Sequence, residues 1–394
     1  MLSERILANI KNSSFIRAMF EEGEKLRKIH GADKVYDFSL GNPDYEPPES
    51  VIKSLKKYIN EDIPSLHRYM SNAGYPEVRE RIASYLASET QLPISLEHIV
   101  MTCGAAGGLN VVFKTILNPE DEVIVFAPYF VEYFSYVDNH GGKTVVVPPD
   151  VSTFEPNLEA LEKCITSRTK AVIINSPNNP TGVVYSEEKL KNIAELLKRK
   201  EAEFNSTIFV VSDEPYTKIV YDGVKVPNML NIFNNAIIVN SFSKSLALPG
   251  ERIGYIAVSP EINDVKTLVG CLIYCNRILG FVNAPSLFQR VIADALEETV
   301  NTDEYKRRRD FLYGNLTDMG FSCIKPQGAF YLFPKALIED DAEFCKQAVK
   351  HNLLIVPGKG FGCPGYFRIA YCVNFELIKN SIPAFKALVE EFKA

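Results

Sequence analysis

Short apolar runs that alternate with amphipathic stretches constrain the fold of this chain most strongly. The runs at 121–126 and 143–147 carry their apolar residues consecutively rather than at every second position. Successive side chains of a strand point to opposite faces of a sheet, so such runs indicate strands that are buried on both faces. The segment 186–204 instead has apolar residues at helical spacing between Leu190 and Leu197. This alternation predicts an α/β fold with a largely parallel sheet flanked by helices.

Four further apolar runs each end in a loop with distinctive chemistry. They are the runs at 98–102, 170–174, 207–212 and 236–240, followed by Cys-Gly-Ala-Ala, Asn-Ser-Pro-Asn-Asn-Pro-Thr-Gly, Asp-Glu-Pro-Tyr and Ser-Phe-Ser-Lys. Ligands of open parallel sheets bind at the carboxyl ends of the strands. We therefore expect these four loops to converge on one binding site.

Lys244, which follows the 236–240 run, indicates an aldehyde cofactor. A charged amine is costly at the end of a buried strand, and the cost is understandable if the neutral amine forms a Schiff base. Ser241, Ser243 and Arg252 would offer hydroxyls and a guanidinium to a phosphate. The aldehyde cofactor that carries a phosphate is pyridoxal 5′-phosphate. The alternative is a surface lysine in a serine-rich turn.

The other loops offer the remaining groups that this cofactor needs. A carboxylate must face the ring nitrogen to keep it protonated, and Asp213 is the candidate. Asn179 and Tyr216 can donate hydrogen bonds to the ring hydroxyl. The Gly104-Ala105-Ala106 turn can present backbone N–H groups and a helix N-terminus to the phosphate. Each motif alone could be structural, so the prediction depends on their order and their positions at strand ends.

These motifs resemble those of the class I/II, fold-type I family of pyridoxal-phosphate aminotransferases. The resemblance runs nearly end to end, from Asp-Phe-Ser-Leu-Gly-Asn-Pro-Asp at 37–44 to Phe-Arg-Ile-Ala at 367–370. It implies a large cofactor-binding domain over 46–285. It also implies a smaller α+β domain that is built from the N-terminal segment 1–45 and from 286–394. Residues 15–29 read as a helix-prone piece, and 286–302 as a long helix that connects the two domains.

The resemblance also implies roles for residues that spacing does not reveal. Phe130 lies where relatives stack an aromatic ring on the pyridine ring, often a Trp, which this chain lacks. Tyr69 lies where relatives reach across a dimer interface to the neighbour's phosphate. Arg368 matches the residue that binds the substrate α-carboxylate, with Gly41 and Asn179 beside it. The alternatives are an ordinary aromatic contact for Tyr69 and a buried ion pair for Arg368.

The implied activity is transfer of an amino group from an L-amino acid to a 2-oxo acid by a ping-pong mechanism through a Lys244 Schiff base. We expect an aspartate- or glutamate-type donor and 2-oxoglutarate as acceptor, with Arg277 as the candidate for binding a side-chain carboxylate. An interface ion pair is the alternative for Arg277. A C–S β-lyase of the same fold stays open as a second function. A regulator with an additional DNA-binding module is the third alternative, which we do not expect because the roughly 45 residues before the large domain already belong to the family pattern.

Charge and composition disfavour several other classes of protein. The chain has 394 residues and a formal net charge of −6, which disfavours generic binding to nucleic acid or to an anionic membrane. No apolar stretch approaches the roughly 18 residues that a membrane span requires. The eight cysteines and five histidines show no metal-binding spacing. We therefore expect a cytoplasmic protein with reduced thiols and no metal. The family resemblance implies a homodimer with shared active sites.

Overall fold

The computed structural model describes residues 2–4, 6, 7, 10, 23, 25–29, 31, 34–61 and 63–392. Much of the helix-prone piece predicted at 15–29 lies outside the described residues, while 23 and 25–29 are helical. Within the described part of the chain, no helix is long and apolar enough to cross a membrane.

A mixed sheet of seven strands, which lie between Ile99 and Val258, forms the core of the larger part of the protein. Its strands are β2 (Ile99–Thr102), β3 (Glu122–Phe126), β4 (Lys143–Val147), β5 (Thr169–Ile174), β6 (Phe209–Asp213), β7 (Ala236–Ser241) and β8 (Gly254–Val258). The strand order is β2-β8-β7-β6-β5-β3-β4, and β8 is antiparallel to both of its neighbours while the other pairs are parallel. The predicted, largely parallel sheet is confirmed.

Helices cover both faces of this sheet. They are α1 (Glu49–Asn60), α2 (Pro76–Thr90), α3 (Gly104–Ile116), α4 (Tyr133–Asp138), α5 (Leu158–Cys164), α6 (Glu187–Phe204), α7 (Phe242–Ser245), α8 (Val265–Ile278) and α9 (Ser286–Asp294). One apolar cluster joins α3 and α8 to one face, and another joins α1, α2, α5, α6 and α9 to the other. Burial on both faces explains why the strands read as continuous apolar runs.

Helix α6 shows how local sequence sets the bounds of an element. The Ser186 side chain accepts a hydrogen bond from the backbone N–H of Lys189, which caps the first turn. Leu190, Ile193, Leu196 and Leu197 are buried along one face, as their spacing predicts. The helix ends at Asn205, whose φ of 48° is in the left-handed region.

A third apolar cluster is built around two small sheets and three helices. These elements are β1 (Tyr36–Asp37), β9 (Tyr331–Leu332), β10 (Leu353–Leu354), β11 (Val356–Pro357), β12 (Phe367–Ala370), α10 (Thr302–Asp318), α11 (Asp341–Val349) and α12 (Phe375–Glu391). β1 pairs with β10, and β12 lies between β11 and β9. This arrangement brings the N-terminal strand and the C-terminal part of the chain into one unit.

The long helix predicted over 286–302 is wrong, because the structure divides it. Helix α9 ends at Asp294, and α10 begins at Thr302. Leu296 and Val300 are buried in the turn between them. The Asn301 side chain accepts hydrogen bonds from the backbone N–H groups of Asp303 and Glu304, so a new helix starts there.

Candidate active site

The four polar loops meet in a cavity of about 180 Å³ at the carboxyl ends of the parallel strands. The sequence-predicted residues that line this cavity are Ala105, Ala106, Phe130, Asn179, Asp213, Tyr216, Ser241, Ser243, Lys244 and Arg252. Each loop follows directly from its strand, so the parallel sheet itself brings together residues that are up to 147 positions apart in the sequence, from Ala105 to Arg252.

Lys244 lies in the short helix α7, directly after β7. Its Nζ atom donates a hydrogen bond of 2.5 Å to the backbone carbonyl of Gly41. Burial, together with the positive charges of Arg368 and Arg252, lowers the pKa of the amine to about 8, against an opposing effect of the Cys372 thiol. A substantial fraction of the amine is therefore neutral, and thus nucleophilic, at mildly alkaline pH.

Asp213 ends strand β6 and is buried. Its Oδ2 atom accepts a hydrogen bond of 2.6 Å from the Tyr133 hydroxyl, whereas Oδ1 is buried without a hydrogen-bond partner among the described residues. Burial raises the pKa of the carboxyl to about 6, although the bond from Tyr133 opposes this. An unpartnered, buried carboxylate oxygen in a cavity suits a protonated ring nitrogen, so this site fits the pyridine ring of pyridoxal phosphate.

Arg368 is buried in strand β12 and does not itself line the cavity, but it contacts Asn179, which does. Its Nη1 atom donates to Asn179 Oδ1 at 3.1 Å and its Nη2 atom to the Ser39 carbonyl at 2.6 Å. The Nε atom is buried without a partner in the described structure. The guanidinium lies close to two aromatic rings, 4.9 Å from the centroid of Tyr331 and 4.8 Å from that of Phe361. A planar cation held in this way can bind a carboxylate with two parallel hydrogen bonds.

Tyr216 contacts a residue that the motifs did not indicate. Its hydroxyl shares a hydrogen bond of 2.9 Å with the hydroxyl of Tyr331, and both rings are buried. Burial raises the pKa of Tyr216 well above its ordinary value, so this phenol stays protonated and can donate a hydrogen bond. A Cβ atom at Gly41 would lie 2.0 Å from the Tyr331 hydroxyl, so only glycine allows the backbone to approach this closely.

The opposite end of the cavity combines a helix N-terminus with a guanidinium. Gly104 begins helix α3 at a φ of +70°, and a Cβ atom there would lie 2.9 Å from Nη2 of Arg252. Arg252 is itself anchored, because its Nη1 atom donates to the Pro249 carbonyl at 2.8 Å. Backbone N–H groups, the positive end of a helix and an arginine together suit the phosphate of the cofactor.

Three further site residues were missed by the sequence reasoning. Tyr133 binds Asp213, Tyr331 binds Tyr216, and the Asn175 amide donates to the Asp213 carbonyl at 2.9 Å. Asn175 begins the Asn-Ser-Pro-Asn-Asn loop, so its position at a strand end was an available signal. Nothing in the local sequence distinguishes Tyr133 or Tyr331 from other tyrosines.

Tyr69 and Arg277 do not line this cavity within one chain. Tyr69 is 92% exposed. Arg277 is exposed at the end of α8, where its guanidinium lies 5.5 Å from the Tyr274 ring. Among the described residues, no group of His, Cys, Asp and Glu side chains could hold a metal ion.

Comparisons with known proteins agree with this geometry. The model of the family described as aminotransferase class I and II matches residues 33–385. A probable aspartate aminotransferase of Methanocaldococcus jannaschii is 35% identical over 90% of this chain and 93% of its own length. The aspartate aminotransferase of Bacillus subtilis is 33% identical over 92% of this chain and 93% of its own. The crystal structure of an aminotransferase from Eubacterium rectale is 42% identical, covers all of both chains and has a TM-score of 0.96.

Proposed function

The chain belongs to the class I and II aminotransferases, which depend on pyridoxal phosphate, and we propose that Lys244 is the residue that attaches this cofactor and transfers protons during transamination. The observation that carries the proposal is the convergence in one cavity of a partly neutral lysine and the unpartnered oxygen of Asp213, next to the buried Arg368.

Each residue has a distinct task in this proposal. Bound pyridoxal phosphate supplies an electron sink for the carbanion that forms at the substrate Cα. Asp213 holds the proton on the ring nitrogen, which that electron sink requires. The Lys244 amine takes the proton from Cα, for which a pKa of about 8 is well matched to neutral pH. Tyr216 and Asn179 donate hydrogen bonds to the ring hydroxyl.

The substrate end of the proposal rests on Arg368. Its guanidinium contacts two aromatic rings, and its hydrogen-bond acceptors are the Asn179 amide oxygen and the Ser39 carbonyl. The buried Nε atom has no partner among the described residues, so an α-carboxylate can accept one hydrogen bond from Nε and a second from Nη2, while the Ser39 carbonyl still holds Nη2. The two halves of a ping-pong cycle would then bind an amino acid and a 2-oxo acid at the same arginine.

We propose an aspartate- or glutamate-type donor and 2-oxoglutarate as acceptor. The names of the two curated relatives support this choice. In this proposal Arg277 binds the side-chain carboxylate in the site of a second copy, and Tyr69 reaches the phosphate there. The exposure of Tyr69, Tyr274 and Ile278, at 92, 54 and 47%, supports a homodimer, because large apolar side chains that are this exposed often lie in an interface.

We also propose a division of the chain into two domains and a cytoplasmic location. Most buried members of the third apolar cluster are Phe38 and residues between Val300 and Val389, which supports a smaller domain made from 1–45 and 286–394 around the larger 46–285. Tyr216, Ile219, Tyr221 and Ala247 of the larger part also belong to this cluster. The eight cysteines are free thiols. That state agrees with a reducing cytoplasm.

Two half-reactions test the activity. Aspartate or glutamate, added without an acceptor, should remove the visible absorption band of the bound cofactor, and 2-oxoglutarate should restore it. Alanine serves as the matched donor without a second carboxylate. Release of pyruvate and a thiol from cystathionine without any acceptor would contradict transamination and identify a C–S β-lyase.

A further inference from the structure

Three consecutive backbone carbonyls of the segment 39–41 contact side chains at the active site. The Ser39 carbonyl accepts a hydrogen bond from Arg368 at 2.6 Å, and the Gly41 carbonyl accepts one from Lys244 at 2.5 Å. The Leu40 carbonyl accepts a longer one, of 3.8 Å, from the Cys372 thiol. The position of this segment therefore affects where the side chains of Arg368 and Lys244 lie.

The three carbonyls belong to a segment, 39–44, that carboxylates anchor at both ends. On the N-terminal side, Asp37 Oδ1 accepts hydrogen bonds from the Ser39 backbone N–H and hydroxyl at 3.0 and 2.6 Å. Asp37 Oδ2 forms a salt bridge of 2.5 Å with Arg27. On the C-terminal side, Asp44 Oδ1 accepts a hydrogen bond of 2.7 Å from Nη1 of Arg308 in helix α10. The segment is thus fixed to a helix that does not line the cofactor cavity.

Arg308 is well placed to hold the segment rigidly. It is 5% exposed, and its guanidinium lies 4.6 Å from the ring of Tyr45, the residue after Asp44. The ring of Tyr305 lies on the same guanidinium at 5.5 Å and meets the Tyr45 ring edge-on at 5.0 Å. Stacking fixes the plane of the guanidinium, so the salt bridge to Asp44 has a defined direction. A buried arginine also needs its carboxylate partner, because an unpaired charge is costly there.

We propose that Arg308 is a positioning residue for substrate binding, which acts through Asp44 to hold the 39–44 segment so that the Ser39 carbonyl orients Arg368. The inference rests on the proposed function, since it concerns capture of the amino acid by Arg368. Arg308 does not contact the cofactor cavity itself. If the segment loosens, the fraction of molecules with a correctly oriented Arg368 falls, and the apparent affinity falls by the same factor.

Variants at both ends of the salt bridge test this proposal. Arg308→Gln and Asp44→Asn should each raise KM for the amino donor by about tenfold, while kcat changes by less than about threefold, because binding rather than proton transfer is impaired. The double variant should be no worse than the more severe single variant, because both remove the same contact. Arg308→Lys, which keeps the charge but loses the planar stack, should recover part of the affinity.

Arg307→Gln is the matched control. Arg307 is the neighbouring residue on α10, but it is exposed and pairs with Glu304 instead of Asp44. Its replacement should leave KM unchanged. Asp44→Asn breaks the same salt bridge and therefore tests the proposal even if Arg308→Gln does not fold. The Asp44 side chain is 28% exposed, and an amide still fits there.

Two measurements separate this inference from the proposed function. Hydrogen–deuterium exchange of the backbone amides at 39–46 should be faster in both single variants, and the Kd for succinate, which binds without reacting, should rise with KM. If the parent protein fails both half-reactions, the proposed function is lost, while faster exchange would still show that Arg308 holds the segment. A lower melting temperature with unchanged KM, succinate affinity and exchange would overturn the inference, since Arg308 would then be structural only.

Discussion

Replacement of Asp213 by Asn is predicted to have opposite effects on the cofactor-free and the cofactor-bound protein. Burial raises the pKa of this carboxyl from its ordinary value of 3.8 to about 6. In the unfolded chain the carboxyl ionises near the ordinary value, so the folded state binds the proton more tightly. The favourable contribution of the protonated Asp213 carboxyl to the free energy of unfolding is fully present below the pKa of the unfolded chain. It is lost as the pH rises through about 6.

The size of this effect follows from the difference between the two pKa values. About two pH units, at about 1.4 kcal/mol for each, correspond to a loss on the order of 3 kcal/mol at about pH 8. Roughly half of this loss develops between about pH 5 and pH 8. Asn carries no charge and its amide oxygen can still accept the Tyr133 hydroxyl bond. As the pH rises from about 5 to 8, the parent should therefore lose about 1–2 kcal/mol of its free energy of unfolding relative to the Asn variant.

The assay is urea unfolding of both cofactor-free proteins at several pH values, repeated with saturating pyridoxal phosphate. With cofactor the parent should be more stable than the Asn variant, because the protonated ring nitrogen pairs with Asp213 and not with Asn. Glu214→Gln is the matched control, since the pKa of Glu214 is also raised, to about 7, but its side chain does not line the cofactor cavity. That variant should retain normal cofactor affinity. Equal stabilisation of parent and Asp213→Asn by the cofactor would refute the role of Asp213 at the ring nitrogen.

Three further outcomes follow from the same site. Lys244→Ala should lower turnover by about 10⁴-fold, measured by single-turnover kinetics, and near-parental activity would exclude Lys244 as the catalyst. The rate at which the cofactor-free protein takes up pyridoxal phosphate should rise as the pH passes through about 8, because the neutral Lys244 amine becomes the major form; a rate that does not depend on pH would contradict this. Arg368→Lys should lower kcat/KM about 10–100-fold for every amino donor, because one of two charged hydrogen bonds to the α-carboxylate is lost. Arg277→Ala should lower kcat/KM for aspartate and not for alanine. Equal effects on both donors would exclude Arg277 as a ligand of the side-chain carboxylate.

The sequence was sufficient to predict the sheet and the loops that line the site, for a physical reason. Strands that are buried on both faces read as continuous apolar runs, and the ends of parallel strands meet at one edge of the sheet. Asp213, Lys244 and the Gly104 turn could therefore be assigned to one site before their distances were known. The turn that separates α9 from α10 was missed, because buried Leu296 and Val300 fit a helical pattern as well as a turn.

Contacts between distant parts of the chain could not be predicted in this way. Tyr133 and Asp213 are 80 positions apart, and Asp44 and Arg308 are 264 apart. Neither pair has a local signature, since each depends on how complete elements pack. Tyr69 and Arg277 present a different problem, because their proposed sites lie on a second copy of the chain.

The most direct test of the central claim is to find which lysine carries the cofactor. The protein is incubated with pyridoxal phosphate, reduced with borohydride, digested and analysed by peptide mass spectrometry. The structure predicts a pyridoxyl label on Lys244, which is lost in Lys244→Ala. A label confined to another lysine, or stoichiometric cofactor binding without any label on Lys244, would contradict the account.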